Sequence, residues 1–232
     1  MLDNTPQLVW SRDRRTPARR APSVDRIVGA ALTIADSEGL EAVSMRRVAT
    51  ELASGTASLY RYVANRDELV DLMVDTAQGE IAVPELTGDW RTDIAAVAHQ
   101  LRATLLQHPW LGAELSGRPA LGPNALRRHD IALAALTPLT GDITLASNIA
   151  DAVTSYVFGA VNQELAELRA HHRTGLTEEQ WRATVGPYLR EAIATGDYPH
   201  FARRVIDAED TIPPARFDFG LDCLLEGVSR TA

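Results

Sequence analysis

The chain has 232 residues, 45% of them apolar and 23% charged, which is long enough for a sizeable core and too apolar for a disordered tail. Its one cysteine, Cys223, excludes an intramolecular disulfide and a cysteine-based zinc site, so the expected location is the cytoplasm. The net charge of −8 speaks against nucleic acid, yet residues 1–66 hold ten arginines against seven acids and residues 67–232 hold thirteen against twenty-four, so the balance changes sign along the chain.

Residues 1–22 read as a flexible basic arm. Pro6, Pro17 and Pro22 interrupt any helix, and Arg12, Arg14, Arg15, Arg19 and Arg20 supply the charge. Such an arm is either a solvated tail or a segment that tracks phosphates and enters the minor groove. No basic stretch followed by an apolar run opens the chain, and no later run approaches the roughly 20 apolar residues of a membrane span.

From Ser23 the pattern is helical. Val24, Ile27, Val28, Ala31, Leu32 and Ala35 share one face, with Ser23 as N-cap and Gly39 as the stop. Ser44 caps a second helix that turns Val48, Ala49 and Leu52 inward, and Ala53-Ser54-Gly55 breaks it. A third helix is expected over Thr56–Tyr62, packing through Leu59 and Val63. Asn65, with Glu68 three residues on, starts a fourth that continues through Leu69, Leu72, Met73 and Thr76. Beyond Gly88 helices are expected near 89–107, 109–116, 122–137, 142–171, 177–194 and 214–229, separated by Gly and Pro signals, with no strand-like alternation. The fold class is all-α, in three parts: an arm (1–22), a helix-turn-helix domain (23–68) and a larger helical domain (69–232).

Two short helices joined by a tight turn, the second with a polar outer face, make a helix-turn-helix, whose second helix fits the major groove. Thr56, Ala57, Ser58, Tyr60, Arg61 and Tyr62 are small, hydroxylated, aromatic or basic, as groove and phosphate contacts require; a plain helical hairpin is the alternative. The runs Glu38–Ala49 and Ser58–Leu69 resemble the N-terminal domain of the TetR family of regulators. The resemblance implies that Ser44 and Arg46 stand at the start of the backbone-crossing helix, that Thr56, Ala57 and Ser58 face bases, and that Tyr60, Tyr62 and Arg66 hold phosphates. One departure matters: the family's turn usually carries Gly where Ala53 stands, so either Gly55 takes up the turn or Ala53 sits in strain. His108-Pro109-Trp110, Ser116-Gly117-Arg118-Pro119 and Phe217–Leu221 are similar to the tetracycline-repressor-like C-terminal domain.

One helix-turn-helix contacts few base pairs, so a homodimer on a double-stranded operator is expected. Small residues allow close helix approach, and Ala152, Ser155 and Gly159 on one helix with Gly220, Cys223 and Gly227 on the last are the expected dimer interface; ordinary packing within the chain is the other reading. An unidentified small effector is expected among the middle helices, near Leu101, Leu105, Trp110, Glu114, Arg118, His129, Tyr156, Gln163 and Trp181. The function so read is a sequence-specific DNA-binding regulator, a repressor released by an effector; the alternatives are a regulator without an effector and a helical enzyme. No cofactor or metal is expected. His171-His172 point to different sides of a helix, and Asp218-Phe219-Gly220 lacks the companion motifs of a kinase.

Overall fold

In the computed structural model, which describes residue 10, residues 23–117 and residues 121–230, every regular element of the described residues is a helix. The expected basic arm lies outside the described residues, Trp10 apart. Helix α1 (Val24–Glu38) starts where Ser23 Oγ accepts from Arg26 N at 3.2 Å and buries Ile27, Val28, Ala31, Leu32, Ile34 and Ala35 along one stripe. Gly39, at φ +87°, ends it by donating to the Ala35 carbonyl. A 3₁₀ turn (Leu40–Ala42) leads to α2 (Met45–Glu51), capped by Ser44 Oγ on Arg47 N at 3.1 Å.

Helix α3 (Thr56–Leu59) is shorter than expected, because Tyr62 N and Val63 N both donate to the Leu59 carbonyl and tighten the chain into a turn. Helix α4 (Arg66–Gly79) is capped by Asn65 Oδ1 on Glu68 N at 2.8 Å. Leu69, Leu72 and Met73 are buried as their spacing predicts, but Thr76 is exposed, and Asp75 and Gln78 are buried instead. The physical reason is that α4 packs on α1 and also on α6 (Leu111–Leu115) and α7 (Pro123–Leu136), so its buried face is wider than one apolar stripe. The expected boundary at 68/69 thus falls in the first turn of a continuous helix. Helix α5 (Trp90–Gln107) packs on α7 and buries Ile94, Ala98, Leu101 and Leu105. The isoleucine and the two leucines each contribute about 1.5–3 kcal/mol by leaving water.

The chain divides into two compact units, one running to Ser155 and the other from Tyr156 onward, and α8 (Ile143–Thr174) belongs in part to each. The second unit also contains α9 (Glu178–Ala194), α10 (Pro199–Asp207) and α11 (Pro213–Ser229). Helix α10 lies between the helices expected near 177–194 and 214–229, where none was expected; Pro199 at its first position was the available signal. Within this unit Tyr156 OH donates to the Phe217 carbonyl at 2.7 Å, and a Cβ at Gly220 would stand 2.3 Å from that hydroxyl, so the contact of α11 with Tyr156 requires glycine there. Among the described residues no helix is long and apolar enough to cross a membrane.

Candidate nucleic-acid interface

The turn between α2 and α3 is set by backbone geometry. Ser54 N donates to the Ala49 carbonyl at 2.9 Å and Ala53 N to the Thr50 carbonyl at 3.1 Å, the paired bonds of a Schellman motif. Its left-handed position is Ala53, at φ +47°, the one non-glycine among the described residues with positive φ; Gly55 sits at φ −78°. Ala53 therefore carries the turn, and Gly55 does not take it up. Ser54 Oγ and Ser58 Oγ stand 2.7 Å apart, and Ser58 Oγ donates to the Gly55 carbonyl at 2.6 Å. The Ser58 hydroxyl is thus bonded to the loop that precedes its helix.

Outward from this turn stand Ala57, Tyr60 and Arg61, with Tyr60 52% exposed, and Thr56 and Tyr62 half-buried beside them. Ser44 is exposed, and because its oxygen accepts the capping bond its O–H remains a donor. Arg46 is exposed, whereas Arg47 is held by Glu38 at 2.7 Å and Glu51 at 2.8 Å, bonds that raise its pKa. These groups can hold phosphates and meet groove edges.

Arg66 is engaged within the chain through two of its nitrogens. Its Nε donates to the Val43 carbonyl and its Nη2 to the Leu40 carbonyl, both at 2.9 Å, so the guanidinium braces the loop before α2 from the first turn of α4. A second tie reaches α1 from the end of α5: His108 and Trp110 converge on Asp36, and His108 also meets Glu80 just past α4. Neither tie is visible in local sequence patterns.

The expected effector residues are divided between the two units. Leu101 and Leu105 are packed in the core, and the Trp110 indole N–H is committed to Asp36 at 2.7 Å. Glu114 is half-buried, His129 is exposed on α7, and Arg118 lies outside the described residues. In the second unit Tyr156 is engaged with Phe217, Trp181 is 54% exposed, and Gln163 lines an open recess walled by Glu164, Glu167 and Glu178. They were chosen by residue type, and side-chain type does not say which neighbour a helix face meets. A different recess lies in the first unit, lined by Gln78, Ile81, Val83, Val97, Asn124 and Arg128 among others. Polar residues on the apolar side of α4 were the signal that could have found it. Of the expected dimer residues, Ala152, Ser155, Gly159, Cys223 and Gly227 are exposed, and Gly220 is half-buried against Tyr156.

Residues 27–73 match the family model described as bacterial regulatory proteins, tetR family, and residues 83–232 match the tetracyclin repressor-like C-terminal domain. The chain is 42% identical over 235 residues to the HTH-type transcriptional repressor DrrR1 of Streptomyces coeruleorubidus, covering 98% of this chain and 85% of the relative. It is 25% identical over 208 residues to the class A tetracycline repressor of Escherichia coli, covering 88% of this chain and 89% of that one. Among solved structures, ActR of Streptomyces coelicolor in complex with actinorhodin superposes with a TM-score of 0.74 at 33% identity, covering 91% of this chain and 99% of that chain.

Proposed function

The chain belongs to the TetR family of transcriptional regulators, and from that premise we propose that it represses transcription as a cytoplasmic homodimer that leaves its operator when a small effector binds. The observation that carries the reading is the outward face around the Ala53 turn, where Arg46, Ala57, Tyr60 and Arg61 are exposed together. Two such faces about 34–36 Å apart would read two half-sites in successive major grooves.

Support for the dimer comes from the exposure of Ala152, Ser155 and Gly159 on α8, and from Phe219 on α11, an aromatic ring left 72% exposed on a single chain. Support for effector control comes from α4. Its first residue braces the loop before α2 and its last turn reaches the Gln78 recess, so about 20 Å of continuous helix joins the two ends. An effector acts only if it binds one arrangement of the reading heads more tightly than the other. The name of the ActR complex records a bound small molecule in that relative, and by likeness supports the same for this chain.

Selection of bound sequences from a random duplex pool, followed by fluorescence anisotropy, tests the reading. An inverted repeat bound with strong salt dependence is the expected result; binding that shows no sequence preference would remove it.

A further inference from the structure

Near its C-terminal end helix α4 buries the polar side chains of Asp75 and Gln78, and they are employed differently. The Asp75 carboxylate accepts from Asn124 N and Ala125 N at 3.0 Å each and from Asn124 Nδ2 at 3.1 Å, bolting the start of α7 to α4. The fit is close enough that a Cβ at Gly122 would stand 2.3 Å from the carboxylate. Gln78 is satisfied on one side only. Its Oε1 accepts from Arg128 Nε at 3.1 Å, while its Nε2 is buried with no hydrogen-bond acceptor among the described residues. A buried donor left unpaired is costly, and native proteins rarely keep one without use.

Arg128 is short of acceptors too. Burial lowers its pKa from the ordinary guanidinium value, with only the charge of Asp151 pulling the other way, and no described carboxylate forms an ion pair with it. Both side chains line a recess that opens to solvent between the end of α4, residues 81–84, α5 and α7. The rest of the wall is mainly apolar, from Ile81, Val83, Pro84, Val97 and Ile131. A guanidinium and an amide side chain in the lining of an otherwise mainly apolar recess complement a flat apolar body bearing an anionic oxygen.

We infer that this recess binds an apolar organic acid, with Arg128 and the Gln78 amide N–H donating to its anionic oxygen and the Ile81–Pro84 wall covering its body. The inference names the chemistry of the effector and so rests on the reading that one exists.

The test titrates 2-naphthoate and its uncharged counterpart 2-naphthamide into the full-length protein by isothermal titration calorimetry. Wild type is expected to bind the acid about tenfold more tightly than the amide. In Arg128→Met that preference disappears while amide affinity stays within about twofold, and Gln78→Met weakens the acid severalfold. Equal affinities in wild type, no binding of the acid, or a preference that survives Arg128→Met each overturns the inference. If circular dichroism shows Arg128→Met unfolded, Gln78→Met decides, and unchanged acid affinity there overturns it. Adding 2-naphthoate to the operator complex separates the two readings. Charge-selective binding with unchanged operator affinity keeps the site and removes effector control, whereas loss of charge selectivity removes the site and leaves operator binding standing.

Discussion

His108 Nδ1 stands 2.7 Å from Asp36 Oδ1, joining the end of α5 to the last turns of α1 across 72 residues of chain. The same oxygen accepts the Trp110 indole N–H at 2.7 Å, and His108 Nε2 meets Glu80 Oε2 at 3.1 Å. An imidazole between two carboxylates donates from both nitrogens only when protonated. The scaffold of the reading head is therefore tied to the larger helical region by a charge that titrates.

Burial alone would lower the His108 pKa, but the hydrogen bonds and charges of Asp36 and Glu80 outweigh it and hold the group above its ordinary value. A raised folded pKa means that the stabilisation is complete below the unfolded value of about 6.5 and is lost as pH rises through the folded value. The melting-temperature gap between wild type and His108→Gln is expected to be widest at acidic pH and to shrink as pH climbs past neutrality. A gap of constant size in a pH series of thermal melts would take the proton out of this account.

Ala53 holds a left-handed conformation that costs an ordinary residue about 1–2 kcal/mol, and glycine occupies it freely at the expense of about 0.4–1 kcal/mol in the unfolded chain. Ala53→Gly is expected to raise stability by up to about 1 kcal/mol in urea unfolding, with operator affinity nearly unchanged. A loss of stability would mean the turn is held by more than its backbone angles.

Arg46 and Arg66 should separate in a salt titration. Arg46→Ala removes an exposed guanidinium proposed to hold a phosphate, so operator affinity is expected to fall and the slope of log affinity against log salt to shrink by about one. Arg66→Ala removes the side-chain donor from the Val43 carbonyl and one of two donors from the Leu40 carbonyl, which is expected to cost about 1.5–3 kcal/mol of stability with the salt slope preserved. Anisotropy at several salt concentrations and urea unfolding of both variants check the pair, and a reduced slope in Arg66→Ala would return that residue to the phosphate contacts.

Ser155 is exposed in the middle of the small-residue row on α8. Replacing it with arginine puts a charge where close helix approach is proposed, and burial of that unpaired charge is expected to shift the dimer to monomer at micromolar concentration. Size-exclusion chromatography with light scattering reads the mass directly; a dimer that withstands Ser155→Arg places the interface elsewhere.

Helices α1, α2 and α4 were legible nearly to the residue, because Ser23, Ser44 and Asn65 each act on an N–H only three residues away. Helix α10 escaped because its apolar residues, Phe201, Val205 and Ile206, are exposed and trace no buried stripe. The exposure of Arg46, Ala57 and Tyr60 was legible in the pattern, whereas the bonds of Ser58 and Arg66 depend on carbonyls whose directions no pattern records.

The order of residues alone was sufficient for the all-α class, the helix-turn-helix and the unusual residue at the turn, since caps, stripes and a missing glycine are signals completed within about a dozen positions. Folding in three dimensions decided which polar groups find partners: Asp36 with His108, Asp75 with the start of α7, and Gln78 with Arg128 but with nothing for its amide N–H. Those pairings span 49 to 72 residues, and a local pattern of side chains holds no information about a neighbour that only packing brings near.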